Sequence, residues 1–177
     1  MKAEAAFSDD KTCRFQLSCS VKPASVFEKP GHRALLVIMV NPSKATVRNG
    51  MIYPDPTVRK CIGFARLHKF DKLMVGNVIP FISTDIKGLR SYDNPLATQW
   101  ANTDHLFYMM QQADQILVAW GRLSKLPAPL RKNWRAVPRL ARKLNKQLYC
   151  LGTCDDGHPR HPLMIGYKTQ MVRWVEP

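Results

Sequence analysis

The sequence lacks any run of apolar residues that could cross a bilayer. Its longest, residues 34–40, is far short of the roughly 18–20 residues a transmembrane helix requires. It is also poor in glycine, with 9 in 177 residues, and contains neither G-x-x-x-x-G-K-[ST] nor G-x-G-x-x-G, so the usual mononucleotide and dinucleotide phosphate cradles are excluded. No G-x-S-x-G nucleophile elbow occurs. Cysteine is sparse, odd in number (5) and scattered, which argues against a disulfide framework and for reduced thiols. Asp9 and Asp10 stand where a secretory signal would carry its apolar segment, so the expected address is cytoplasmic. Acidic residues are the clearest deficit. Only 13 Asp and Glu oppose 27 Lys and Arg, a net charge of +14 that attracts polyanions, nucleic acid first among them.

What is present is enough apolar material, 45% of residues, to build a core, and a length that suits one domain over residues 1–177. Phe15, Leu17 and Cys19 alternate with Arg14, Gln16 and Ser18, the period of a half-buried strand whose polar face predicts a sheet edge. Pro23, Pro30 and Gly31 punctuate the next stretch. Residues 34–40 then read as a central strand buried on both faces, ended by Asn41-Pro42. After a polar loop through Asn49 and Gly50, Asp55 and Pro56 form a helix start as N-cap and first residue, with Val58, Cys61, Ile62 and Ala65 on one face. Strands are expected at 72–79, 115–119 and 147–151, and a helix at 94–112 with Leu106, Met109 and Met110 facing inward. Residues 122–146 carry nine Lys and Arg and no acidic residue, and within this basic stretch Leu130, Trp134, Val137, Ala141 and Leu144 recur at helical spacing, with Pro138 starting a second piece or kinking the first. Buried strands alternating with helices predict a three-layer α/β/α fold with a mostly parallel central sheet.

Ligands at such sheets bind beyond the carboxyl ends of the strands. Here those ends run into Asn41-Pro42-Ser43, residues 77–80, Trp120-Gly121 and residues 152–161, so these loops should build the site. Asn41, Asn77, Asp55, Asp155, Asp156, His158 and His161 fall on or near them. A side-chain amide can orient a water, a carboxylate can accept its proton, and an imidazole can stabilise a leaving group. The same residues also make good turns and caps, as Asp55 does before its helix. Cys150, Cys154, His158 and His161 are all types that zinc accepts, but C-x3-C-x3-H-x2-H is compressed relative to zinc-binding spacings and Cys150 falls in an apolar strand. No metal or other cofactor is expected.

Certain motifs are more specific. Cys13-Arg14-Phe15-x-Leu17, Val40-Asn41-Pro42-Ser43-x-Ala45 and Asp55-Pro56-Thr57-Val58-Arg59-x-Cys61-Ile62-Gly63-Phe64-Ala65 are followed by Gly76-Asn77-Val78 and Ala119-Trp120-Gly121. Cys150-Leu151-Gly152-Thr153 and Gly157-x-Pro159-x-His161-Pro162-Leu163 complete the set. Together they resemble the bacterial and phage domain-of-unknown-function family sixteen-forty-three over nearly the whole chain, with Ser43-Lys44 replacing the usual Ser-Thr and no residue between Gly152 and Thr153.

A more distant resemblance is to uracil-DNA glycosylases. Val37-Ile38-Met39-Val40-Asn41-Pro42-Ser43 is similar to the first strand and Asn-Pro motif of the branch that handles mismatched thymine and uracil, and His161-Pro162-Leu163 resembles that superfamily's His-Pro-Ser. The resemblance implies a glycosylase-like fold and cleavage of the N-glycosidic bond of a damaged or modified base in DNA. In that scheme Asn41 orients water, with Asp55 as a second candidate, and His161 stabilises the departing base. Asn77 reads the base edge, Tyr53 or Trp120 stacks on it, and Ser43 contacts substrate. A base must leave the stack to be reached, which calls for a pocket and a cationic surface that grips the backbone. Lys44, Arg122, Lys125, Arg131, Lys132, Arg135 and Arg139 are the expected phosphate contacts, set against the alternative of a solvated helix face. The expected partner is nucleic acid, DNA in the first place. Two other readings stand beside it: a non-catalytic reader of a modified base or nucleotide, and a hydrolase of small nucleotides.

Overall fold

A computed structural model of the chain describes residues 1–21 and 33–177. Pro23, Pro30 and Gly31 lie outside the described residues. The strands are β1 (Ala3–Phe7), β2 (Arg14–Ser20), β3 (Ala34–Met39), β4 (Thr46–Arg48), β5 (Met51–Tyr53), β6 (Lys72–Asn77), β7 (Gln115–Val118), β8 (Leu148–Cys150) and β9 (Val172–Arg173). Three α-helices, α1 (Pro56–Leu67), α2 (Leu96–Gln112) and α3 (Ala136–Lys143), are joined by short 3-10 turns.

Seven strands form one sheet in the order β1-β2-β6-β3-β7-β8-β9. Its centre, β6-β3-β7-β8, is parallel throughout, while β1, β2 and β9 are antiparallel additions, so the sheet is mixed around a parallel core. β3 is buried at all six positions. Leu36 and Ile38 pack with Leu106 and Met109 of α2 and Val137 and Ala141 of α3, whereas Leu35 and Val37 pack with Val58, Ile62 and Ala65 of α1. Two apolar faces on one strand thus require helices on both sides, and the result is a three-layer α/β/α arrangement.

The expected strand at β2 is present, but it is not an edge. β1 pairs outside it, from Ala3 opposite Cys19 to Phe7 opposite Arg14, and Arg14 and Ser18 are buried. Gln16 is half-buried, so the polarity of this face does not mark solvent. The stretch through Asn49 and Gly50 is not an open loop either. It closes the two-stranded β4-β5 hairpin, with Asn49 and Gly50 both at positive φ (50° and 67°), the conformation two-residue hairpin turns require. α1 starts as the sequence indicates. Asp55 Oδ1 accepts the Val58 N–H at 2.8 Å and Pro56 occupies the first turn. α2 starts at Leu96, two residues later than expected, because Asn94 adopts a left-handed φ of 54° while its side chain bonds to Asn133. In the basic stretch, short turns carry the chain as far as Arg135 and the α-helix begins at Ala136. Pro138 falls in that helix's first turn, where its missing N–H has no partner to lose.

Candidate functional site

At the carboxyl ends of β3 and β7 opens a cavity of about 750 Å³. Its walls come from the residues after β3 (Asn41, Ser43), the start of α1 (Asp55, Thr57), the turn after β7 (Trp120, Gly121, Arg122, Lys125) and the segment after β8 (Cys154, Asp155, Arg160, His161 and Leu163). Ser83 and Thr84 close a further side, and Arg14 reaches in from β2.

Each polar side chain is held by local chemistry. Asn41 Nδ2 donates to the carbonyls of Pro42 (2.9 Å) and Ser83 (2.8 Å), and the Ser83 N–H returns a bond to the Pro42 carbonyl at 2.9 Å. These bonds clamp two loops and leave Oδ1 as the remaining acceptor of Asn41. Asp55 accepts the Val58 N–H through Oδ1 and the Ala45 N–H through Oδ2 (3.4 Å), which fixes its carboxylate at the positive end of α1. His161 Nδ1 accepts the Leu163 N–H at 3.4 Å, so in the neutral ring the proton resides on Nε2. Burial lowers the His161 pKa from its ordinary value, Lys125 lowers it further, and the charge of Asp55 works in the opposite direction. A neutral imidazole with an Nε2–H donor results.

Arg14 is 2% exposed, and its Nη1 donates to the Ala45 carbonyl. Burial pushes its guanidinium pKa down to about 10 while Asp55 opposes that shift, so it remains cationic at neutral pH. Its Nε has no hydrogen-bond partner among the described residues. Arg160 is oriented by a bond from Nε to the Thr153 carbonyl at 3.0 Å, and Arg122 is paired with Asp155 at 2.5 Å on the exposed rim. Gly121, at φ 80°, donates its N–H to the Pro159 carbonyl (2.8 Å) and thereby joins the loop after β7 to the segment that carries His161.

Of the residues expected to form the site, the cavity collects Asn41, Ser43, Asp55, Trp120, Arg122, Lys125, Asp155 and His161. Asn77 is a correction. It is 1% exposed and outside the cavity, because the chain beyond β6 stays paired with β3, Val78 N–H to Met39 carbonyl and Ile79 N–H to Val40 carbonyl, so Asn77 lies below the rim. Tyr53 is also outside, at the end of the β5 hairpin strand with the Arg48 guanidinium over its ring. Trp120 touches the cavity but is 3% exposed, ringed by Trp134, Trp174 and His158, and its Nε1–H donates to His158 Nδ1 at 3.3 Å. It is a wall of the core and has no open face on which a base could stack. Lys44, Arg131, Lys132, Arg135 and Arg139 are exposed and outside this cavity. Among the described residues no three His, Cys, Asp or Glu side chains converge as metal ligands would.

Sequence reasoning missed Arg14, Ser83 and Thr84, and it reached Arg160 only as part of the loop 152–161. Arg14 had a visible signal, a cation flanked by Cys13 and Phe15 at the start of a strand, but its burial depends on β1 and on the loop after β3. Fold and site together define an α/β protein with a polar, partly cationic cavity at the carboxyl edge of a parallel sheet core. The chain belongs to the family described as Protein of unknown function (DUF1643), whose profile matches residues 14–163. Both ends of that match, Arg14 and Leu163, line the cavity. No curated protein and no solved structure matches the chain. No helix among the described residues is long and apolar enough to cross a membrane.

Proposed function

We propose that the cavity binds a nucleobase carried on DNA, one that is damaged or chemically modified, and that water there cleaves the bond between base and sugar. The observation that supports this best is Asn41. With both amide hydrogens committed to backbone carbonyls, its Oδ1 is the acceptor left to hold a water, in the cavity that also contains Asp55 and His161. The likeness of Asn41-Pro42 and His161-Pro162 to uracil-DNA glycosylase motifs points the same way.

In this reading the water oxygen, held by Asn41, bonds to the anomeric carbon as the carbon–nitrogen bond breaks and its electron pair leaves with the base. The water proton passes to the Asp55 carboxylate, whose charge also favours the cationic character that develops on the sugar. The base leaves as an anion, and His161 keeps its proton and offers Nε2–H as a hydrogen bond to the charge that builds on it, a role for the neutral ring that burial favours. Arg14 supplies a buried cation to an oxygen or ring nitrogen on the base edge. A non-catalytic reader of the same base is the second reading. It is favoured by Asp55, whose two carboxylate oxygens already accept backbone N–H groups.

Incubation with DNA duplexes and single strands carrying a panel of modified bases, followed by alkali, reveals abasic sites as strand breaks. Breaks at one modified base, lost in Asn41→Ala while DNA binding persists, support hydrolysis. Tight binding of one modified DNA without base release supports the reader. Release from free nucleotides alone, insensitive to salt, places the protein among small-nucleotide hydrolases.

A further inference from the structure

A second, smaller cavity of about 390 Å³ adjoins the first and shares Ile86 and Lys125 with it. It runs between the 3-10 turn Ile86–Ser91 and the segment 124–131. Lys87, Arg90, Lys125 and Arg131 line it, and no acidic residue among the described ones does. Asp85, the nearest carboxylate in sequence, is occupied as the cap of the Ile86–Ser91 turn, accepting the Lys87 N–H at 2.9 Å. Arg131 is aimed by a bond from Nε to the Leu126 carbonyl at 3.0 Å. Two elements distant in sequence thus bring four cations to one groove beside the candidate active cavity.

Other members of the basic stretch are placed differently. Lys132 and Arg139 border a separate cleft beside α2, Arg142 is paired with Glu176 at 2.8 Å, and Arg122 with Asp155. From this division we infer that the groove of Lys87, Arg90, Lys125 and Arg131 is the phosphodiester track. It would hold consecutive backbone phosphates of the DNA strand whose base enters the cavity, and the outward cations Lys132, Arg135 and Arg139 serve mainly to keep the surface hydrated. The inference rests on the reading of the cavity as a site for a base carried on DNA. Exposed cations gathered in one groove, with no acidic partner among the described residues, suit a chain of anions spaced a few ångströms apart, and each phosphate they neutralise releases condensed counterions.

The test compares two triple variants with the parent, K87Q/R90Q/R131Q in the groove and K132Q/R135Q/R139Q outside it. Lys125 is left intact because it also lines the main cavity. Binding of labelled single-stranded and duplex DNA is measured across a salt series, with circular dichroism and thermal unfolding confirming the fold of each variant. The groove variant should lose at least about tenfold in affinity at low salt, and its slope of log affinity against log salt should flatten by about 2–3, roughly 0.7 per phosphate contact removed on single strands and roughly 0.9 on duplex. The outer variant should keep the parental slope. Parental binding by the groove variant, or equal losses in both variants, overturns the track. Inorganic phosphate competing as well as DNA for the groove, with no dependence on strand length, also overturns it and indicates a single-anion site. The two readings separate cleanly. Loss of DNA binding in the groove variant, with no base release by the parent from any DNA, leaves the track standing and removes the hydrolytic reading. Base release that is unaffected in the groove variant does the reverse.

Discussion

Asp55 and His161, brought from the start of α1 and from beyond β8, share one cavity, and the carboxylate charge offsets part of the burial that lowers the imidazole pKa. Removing that charge should lower the His161 pKa further. Asp55→Asn is the variant of choice, since asparagine caps a helix as well as aspartate and α1 should persist. Titration of the His161 ring by NMR should show the drop. An unchanged or higher pKa would mean the two side chains do not sense each other.

Arg14→Met should separate fold from function. The arginine is buried with its Nε unbonded among the described residues, so an apolar side chain of similar length is expected to change stability by less than about 2 kcal/mol, in either direction, while ligand binding is lost. Unfolding by denaturant supplies the first quantity. A loss of about 3 kcal/mol or more would assign Arg14 to holding the loop after β3 through its bond to Ala45.

Stability should fall on the acid side. His105, His158 and His161 all titrate below the ordinary value of 6.5, each chiefly because burial disfavours the charged ring. The unfolded chain therefore takes up protons first as the pH drops through 6.5, and stability present above that value is lost progressively down to the lowered folded values. His158 adds a specific break, since protonating Nδ1 removes the acceptor for Trp120 Nε1–H. Thermal unfolding midpoints from pH 7 downward should decline. In His158→Phe the decline should be shallower, on a baseline about 1–3 kcal/mol lower from the stranded indole N–H. A steeper decline in that variant would remove His158 from the explanation.

Two glycines should respond differently to alanine. At Gly76 in β6 a methyl group would lie 2.6 Å from Leu106 Cδ2 and 2.9 Å from Met109 Cε, and both side chains are fully buried with nowhere to swing. A cost of about 1–3 kcal/mol is expected from overpacking. At Gly63 in α1 the methyl meets the ring of Tyr167, which is 43% exposed and can turn outward by giving up its contacts with Phe64 and Lys60. The alanine there raises helix propensity by about 1 kcal/mol, which offsets the cost of displacing the ring. Chemical denaturation of the two variants distinguishes them. Equal losses would mean that exposure of the neighbour does not decide the outcome.

The sequence by itself determined the parallel core and one wall of the site. The six-residue apolar run of β3 admits only a strand covered on both faces, and Asp55-Pro56 before a periodic apolar pattern admits only a helix start, so both are written in local chemistry. From these the meeting of Asn41, Asp55 and His161 at one sheet edge was legible. What only the tertiary structure decided concerns residues whose surroundings come from distant segments. Arg14 and Trp120 alternate or punctuate in the same way whether they face solvent or core. β1 and the loop after β3 bury the first, and Trp134, Trp174 and His158 bury the second. Asn77 marks a strand end in sequence, yet continued pairing of the next residues to β3 keeps it below the rim. Lys87 and Arg90 join Arg131 only because the turn at Ile86–Ser91 folds against a segment some forty residues further along the chain, and periodicity carries no trace of such a closure.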